Sequence, residues 1–192
     1  MKWIALIIVL IIGPYTFLRW HYRKPQDAFE PYHDMKDRAN TMRLLSAGFQ
    51  RVTLAAERPA EPMKLSAAAV IQPAIGGLPS ELSTTLVETP MLVKEIVSVT
   101  APRETNTLFA YSFDFTCGLP DNGHEVTNVY LYSREGQIFI VPELQRLAGD
   151  LLERTRENRI RITLPPGTLK PGLQEVALVG ERTSKRWSIE VK

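Results

Sequence analysis

Leu108-Phe109-Ala110-Tyr111-Ser112-Phe113-Asp114-Phe115-Thr116 is the stretch that decides the fold class. Aromatic residues at 109, 111, 113 and 115 alternate with small or polar ones. That period of two puts the rings on one face of a strand and the polar groups on the other. A turn-rich loop follows from Cys117 to Glu125, carrying Pro120, Asp121, Asn122 and Gly123. Val126 to Tyr132 and Gln137 to Val141 then flank Ser133-Arg134-Glu135-Gly136, a hairpin signal.

The same pattern extends outward in both directions. Upstream, Phe49 to Ala55 reads as a first strand, closed by Arg58-Pro59-Ala60-Glu61-Pro62. Lys64 to Ile71 is a second candidate, ended by Gln72-Pro73 and Gly76-Gly77, and Ile96 to Thr100 is a short strand stopped by Pro102. Leu78 to Pro90 fits neither period. Downstream lie three further strands, Arg159 to Leu164, Leu173 to Val179 and Arg186 to Val191. One helix is expected to interrupt them over residues 142–152. Pro142 stands at its start, Leu144, Leu147, Leu151 and Leu152 share a face, and Gly149 weakens it. Many short strands, Gly/Pro turns and one inserted helix predict a mainly-β domain over residues 49–192, an antiparallel sandwich.

The segment Leu164-Pro165-Pro166-Gly167-Thr168-Leu169-Lys170-Pro171-Gly172-Leu173, followed by an alternating strand and then Trp187-Ser188-Ile189-Glu190-Val191, resembles the closing strands of bacterial immunoglobulin-like domains. The resemblance implies an Ig-like sandwich ending in a hairpin. Pro171-Gly172 would form its tight turn, with Val176, Leu178, Trp187, Ile189 and Val191 turned inward.

The chain as a whole has 192 residues, 44% hydrophobic and 23% charged. Its apolar residues are unevenly spread. Trp3 to Leu18 is a run of 16 uncharged residues bounded by Lys2 and Arg19. As a helix it would span ~24 Å at ~1.5 Å per residue, against ~30 Å of hydrocarbon core. Snorkelling by Lys2 and Arg19 would close the gap, with Trp3, Trp20 and Tyr22 at the interfaces and Arg23 and Lys24 in the C-terminal interfacial flank. Residues 1–20 are therefore expected to be a single-pass membrane anchor, kinked at Pro14. A cleaved signal peptide and a buried core helix are the alternatives, although Tyr15-Thr16-Phe17-Leu18 offers no small-x-small cleavage pair. The charge flanks alone lean slightly to a cytoplasmic domain. The short N-terminal tail and the signal-like layout favour an exported, periplasmic one, which is the orientation expected here.

Residues 21–48 read as a juxtamembrane connector. After Pro25 and Pro31, the residues Tyr32, Met35, Ala39, Met42 and Leu45 recur at spacings of three and four. This is one face of an amphipathic helix ending before Gly48. Tyr32, Met35, Met42 and Leu45 either face a partner or the bilayer, or pack on the following domain.

Little of the chemistry-bearing composition points to catalysis. No Gly-rich phosphate loop, Gly-x-Ser-x-Gly or His-Glu-x-x-His occurs, so no enzyme is expected. The formal net charge is only +2, and residues 49–192 hold 16 basic and 17 acidic side chains, which leaves no footprint for nucleic acid. Arg154, Arg156, Arg159 and Arg161 alternate, but Glu153 and Glu157 lie among them, the pattern of a self-neutralising edge. Cys117 and His124 lie seven residues apart in one loop and form a candidate pair for copper. The ordinary alternative is a buried thiol beside a surface histidine. Asp121, Asn122 and Glu125 supply oxygen donors there, without the alternating carboxylates of a calcium loop. No cofactor is expected.

The layout of anchor, connector and Ig-like domain is similar to that of FixH-like proteins that accompany bacterial cytochrome oxidases. The resemblance implies a membrane-anchored accessory subunit that contacts the lipid bilayer and an integral membrane complex. The competing expectation is a stand-alone envelope module binding a ligand or metal through the 117–125 loop.

Overall fold

The computed structural model describes residues 12, 13, 15, 17, 31–149 and 151–192, with residues 31–34 described through their backbone only. Lys2, Trp3, Arg19, Trp20, Tyr22, Arg23 and Lys24 lie outside the described residues, as does the Tyr32 side chain. Among the described residues no helix is long and apolar enough to cross a membrane. The chain forms two compact units, Met1–Asp37 and Arg38–Lys192.

The second unit is mainly β. Its large sheet contains β1 (Gln50–Ala55), β6 (His124–Arg134), β7 (Gln137–Arg146), β9 (Gly172–Leu178), β10 (Thr183–Val191) and β2 (Gln72–Ile75) in that order, with β4 (Glu104–Thr105) also along β10. The small sheet has β3 (Glu95–Thr100), β5 (Tyr111–Gly118) and β8 (Glu157–Leu164), with β5 central. Most pairings are antiparallel, but β7–β9 and β10–β4 are parallel. This arrangement is compatible with a β-sandwich. Two corners tie the sheets together. Glu57 and Arg161 exchange backbone hydrogen bonds of 3.1 and 2.8 Å, and the amides of Glu181 and Arg182 donate to Val93 and Lys94 carbonyls at 2.8 and 2.9 Å.

The core between the sheets follows from the period of two. In β5, Tyr111, Phe113, Phe115 and Cys117 are all buried. They join Ile160, Ile162 and Leu164 of β8 and meet Leu131, Ile140, Val176, Leu178, Trp187 and Ile189 of the large sheet. The Phe113 ring lies 5.4 Å from that of Trp187, in the tilted geometry that aromatic quadrupoles favour. Tyr111 donates to the Pro102 carbonyl at 3.0 Å and accepts from Trp187 Nε1 at 3.3 Å, so neither polar tip is stranded in the core.

The large sheet also buries its other face. Tyr132, Phe139, Val141, Ala177 and Val179 form a second cluster with Leu82 and Leu86, from helix α2 (Ser80–Thr85) and its end, and with Phe49 and Leu44. Leu44 belongs to helix α1 (Pro31–Ser46), so the last turns of α1 are part of the folded domain. Asn40 Oδ1 accepts from the Val87 amide at 2.6 Å, holding α1 beside the end of α2.

Three expectations need correction. Residues 142–149, 151 and 152 are not helical: β7 continues to Arg146, and Gly149 takes a left-handed φ of 68° beyond it. Pro142 is tolerated because β9 pairs β7 only over Gln137–Ile140. The Leu144 amide donates away from β6, to Met91 at 2.9 Å, and period two turns the proline nitrogen to that same side, where no ladder bond is required. Lys64 to Ile71 is irregular, and the strand lies one step later as β2, whose Pro73 sits on a sheet edge. The sheets are also not wholly antiparallel, because β7 and β9 lie side by side and run the same way. The hairpin between β6 and β7 forms as expected. Glu135 and Gly136 both take positive φ, 49° and 83°, the two-residue turn that matches strand twist.

A polar clamp secures the outer side of the small sheet. Asp114 is only 3% exposed, yet Arg161 Nε and Nη2 donate to its two oxygens at 2.7 and 2.9 Å. The Met63 amide adds a bond of 2.8 Å, which anchors the proline-rich segment. Burial by itself raises the Asp114 carboxyl, but the hydrogen bonds and the arginine charge prevail and hold it below its ordinary value. The native state then binds this proton less readily than the unfolded chain. The stability it contributes is present above about pH 4 and is lost as pH falls through the depressed native value. Arg161 is 29% exposed, so water screens part of the pair. Asp114→Ala is expected to cost about 2 kcal/mol, between exposed and fully buried pairs. Urea melts from pH 7 down to pH 3 check this: wild type should lose its advantage over the variant on the acid side.

Candidate functional site

The Cys117–Glu125 loop joins β5 of the small sheet to β6 of the large one. Cys117 ends the inward row of β5 and is fully buried, with its thiol 3.7 Å from the Asn158 carbonyl. Burial pushes the thiol up to about 12, so at neutral pH it holds its proton. A copper site needs the thiolate and open access.

His124 lies at the start of β6, across from Arg146, and its Nδ1 is 2.7 Å from Asp121 Oδ1. That same oxygen accepts from the Gly123 amide at 2.7 Å. The His124 ring and this amide hold the Asp121 carboxyl below its ordinary value. The remaining oxygen donors of the loop are engaged as well. Asn122 donates to the Glu153 carbonyl at 2.9 Å, accepts from the Glu153 amide through its own carbonyl at 2.7 Å, and accepts from Arg156 Nε at 3.1 Å. Arg58 bridges Glu125 and Glu153, lying 3.3 Å from the former. The loop is thus a clasp that fastens residues 121–125 to residues 153–156 and to the segment after β1. Among the described residues no group of three or more His, Cys, Asp or Glu is placed to hold a metal ion.

A different surface stands out on α1. Met35, Met42 and Leu45 are exposed at 69%, 68% and 59%, whereas Leu44 is buried. At about 100° per residue, Met42 lies about 20° from Met35 and Leu45 about 60° from Met42, while Leu44 is about 160° from Met42. The methionine face predicted from the spacing is therefore the outward one, and the helix docks by Leu44. Leu44, out of phase with them, joins Phe49, Leu82 and Phe139 in the second buried cluster, with Ala47 packed against it.

The sheet itself carries a third feature that sequence reasoning did not anticipate. A groove of about 700 Å3 runs across its outer face beside the start of α2. Its floor includes Phe139 and Ala177, and Glu175, Arg186, Ser188 and Arg103 stand around it. Alternation along β9 and β10 contains the signal, since Glu175, Ala177, Arg186 and Ser188 share one phase.

Comparison with protein-family models, with curated proteins and with solved structures finds no match to this chain.

Two consequences follow for Cys117. Native protein is expected to resist thiol reagents at pH 7–8 and to react only as fast as it unfolds, which a disulfide reagent with and without denaturant would measure. Because the folded thiol titrates above the ordinary value of 9.0, its contribution to stability is present below about pH 9 and lost as pH rises toward 12. Cys117→Ala should flatten that alkaline loss in thermal melts.

Proposed function

We propose that this chain is a single-pass, membrane-anchored accessory subunit, its domain outside the cytoplasm, acting by protein–protein contact within a larger integral membrane complex. A respiratory cytochrome oxidase is the complex that the layout shared with FixH-like proteins suggests, and an Ig-like sandwich is the corresponding domain type. The observation that carries this reading is the outward Met35, Met42 and Leu45 face of α1. It belongs to the helix that follows the apolar run of residues 3–18 in the chain.

The charge around that face suits a protein surface better than a bilayer. Lys36, Arg38 and Arg43 are interleaved with Asp34 and Asp37, whereas helices that lie on anionic lipid carry a basic polar face and a broad apolar one. Methionine side chains adapt to irregular protein surfaces, and three exposed apolar groups with a mixed-charge rim form a modest docking stripe. The alternative, a stand-alone envelope ligand- or metal-binding module, has less in its favour at the 117–125 loop, where Asp121 engages His124 and Arg58 engages Glu125.

Gentle detergent extraction followed by affinity purification of the full chain tests the proposal. A stable large membrane partner should co-purify, and Met42→Glu/Leu45→Glu should release it. Both positions are exposed, so the variant should melt within a few degrees of wild type. Leu44→Ala, which opens a cavity, should lower stability by about 2–3 kcal/mol. A protein that runs alone after gentle extraction refutes the subunit role.

A further inference from the structure

The groove on the large sheet holds unpaired charges of both signs over an apolar floor. Arg103 and Arg186 make no side-chain hydrogen bond or ion pair among the described residues, and neither does Glu175, although all three line the same groove. Glu81, at its wall, is held by Arg134. Phe139 and Ala177 form an apolar strip between these charges and the covered half of the sheet. A volume of about 700 Å3 lies within the range of small-molecule sites, ~300–1,000 Å3.

The backbone adds a directed donor. The amides of Glu190 and Lys192 donate to the carbonyls of Arg103 and Thr105 at 3.0 and 2.9 Å, so even-numbered residues of β10 turn their backbone toward this edge. β2 covers that edge from Thr183 to Arg186, and β4 covers it from Glu190 to Val191. The Ser188 amide therefore points into the gap between them, with Arg186 on one side and Arg103 on the other. Directly across the ladder from Ser188 is Glu175. Neighbouring strands are ~4.8 Å apart, which is the reach of an ammonium two carbons from its oxyanion.

We propose that this groove binds an amphipathic zwitterion of the phosphoethanolamine type. Its oxyanion sits between Arg103, Arg186 and the Ser188 amide, its ammonium meets Glu175, and its apolar part lies on Phe139 and Ala177. Paired arginines suit a phosphate by their forked donors, and Glu175 selects against heads that carry only negative charge. The inference stands whether or not a membrane subunit docks on α1.

The test is native mass spectrometry of the full chain released from a non-ionic detergent, titrated with three probes. Lysophosphatidylethanolamine should give one 1:1 adduct, bound at least about tenfold more tightly than lysophosphatidylglycerol. Free phosphoethanolamine, which lacks the apolar part, should bind at least about tenfold more weakly than the lysolipid. Arg103→Ala/Arg186→Ala should weaken the lysolipid adduct about tenfold or more. Glu175→Gln should abolish the preference by strengthening the glycerol lipid. All three positions are exposed, so unchanged melting temperatures are expected and verify folding. The proposal is overturned by the absence of an adduct, by a ladder of adducts equal in wild type and variants, by free phosphoethanolamine binding as tightly as the lysolipid, or by a head-group preference that survives Glu175→Gln.

Discussion

The pairing of β7 with β9 at the centre of the large sheet is the constraint on which the rest depends. Over Ile138–Ile140 and Val176–Leu178 the two strands run parallel, and every residue in these spans is buried. Extended parallel pairing is found mostly where both faces are removed from water, and both faces of this pair are buried. One face meets the small sheet through Ile140, Val176 and Leu178. The other must be covered by something outside the two-sheet core, and the chain supplies the last turns of α1 and the short α2 for that purpose. Leu44 is spent on this covering. That is why the methionines of α1, on the opposite side, remain in solvent.

This constraint also separates what the sequence made legible from what it did not. Strands with one wet face announce themselves by alternation: β1, β3, β5, β8 and β10 lie where period two places them, within a few residues. The β6–β7 turn is legible from Gly136, whose φ of 83° suits glycine, set between two alternating runs, although Glu135 beside it takes a positive φ against its residue type. The β7 strand is different. Once both faces are buried, Ile138-Phe139-Ile140-Val141 loses alternation, and the leucines that follow acquire a helical spacing by coincidence. Pro142 strengthened that misreading. A proline opens a helix as readily as it tolerates a strand whose amide faces a missing neighbour, and only the register of β9 tells the two apart. Pro73 misled in the same way, because which strand lies at an edge is a property of the whole sheet.

The candidate loop shows the corresponding limit for chemistry. Cys117 and His124 are seven residues apart in sequence, but strand phase decides their surroundings. Cys117 continues the inward row of Tyr111, Phe113 and Phe115 and is sealed in the core, while His124 begins a new strand and pairs with Asp121. The inward phase of Cys117 was readable from the alternation. The engagement of Asn122 and Glu125 was not, because Arg58, Glu153 and Arg156 come from distant parts of the chain. Donor types that suit a metal loop suit a hydrogen-bonded clasp equally well, and the long-range partners decide between them.

Covering a sheet with two short helical pieces rather than a second full layer has a further physical result. Leu44, Leu82 and Leu86 shield Tyr132, Val141 and Val179, but among the described residues this buried cluster includes none from β10. The sheet there passes from the apolar phase of Phe139 and Ala177 to the charged and polar phase of Arg186 and Ser188 within two strands. Such a boundary gives an apolar floor beside fixed charges, the combination that favours ligands with both kinds of surface. The outward face of α1 and the groove beside α2 are in this sense one consequence. A parallel strand pair demanded a cover, the cover was made from small pieces, and their unburied side and their far edge are the surfaces left available for contact.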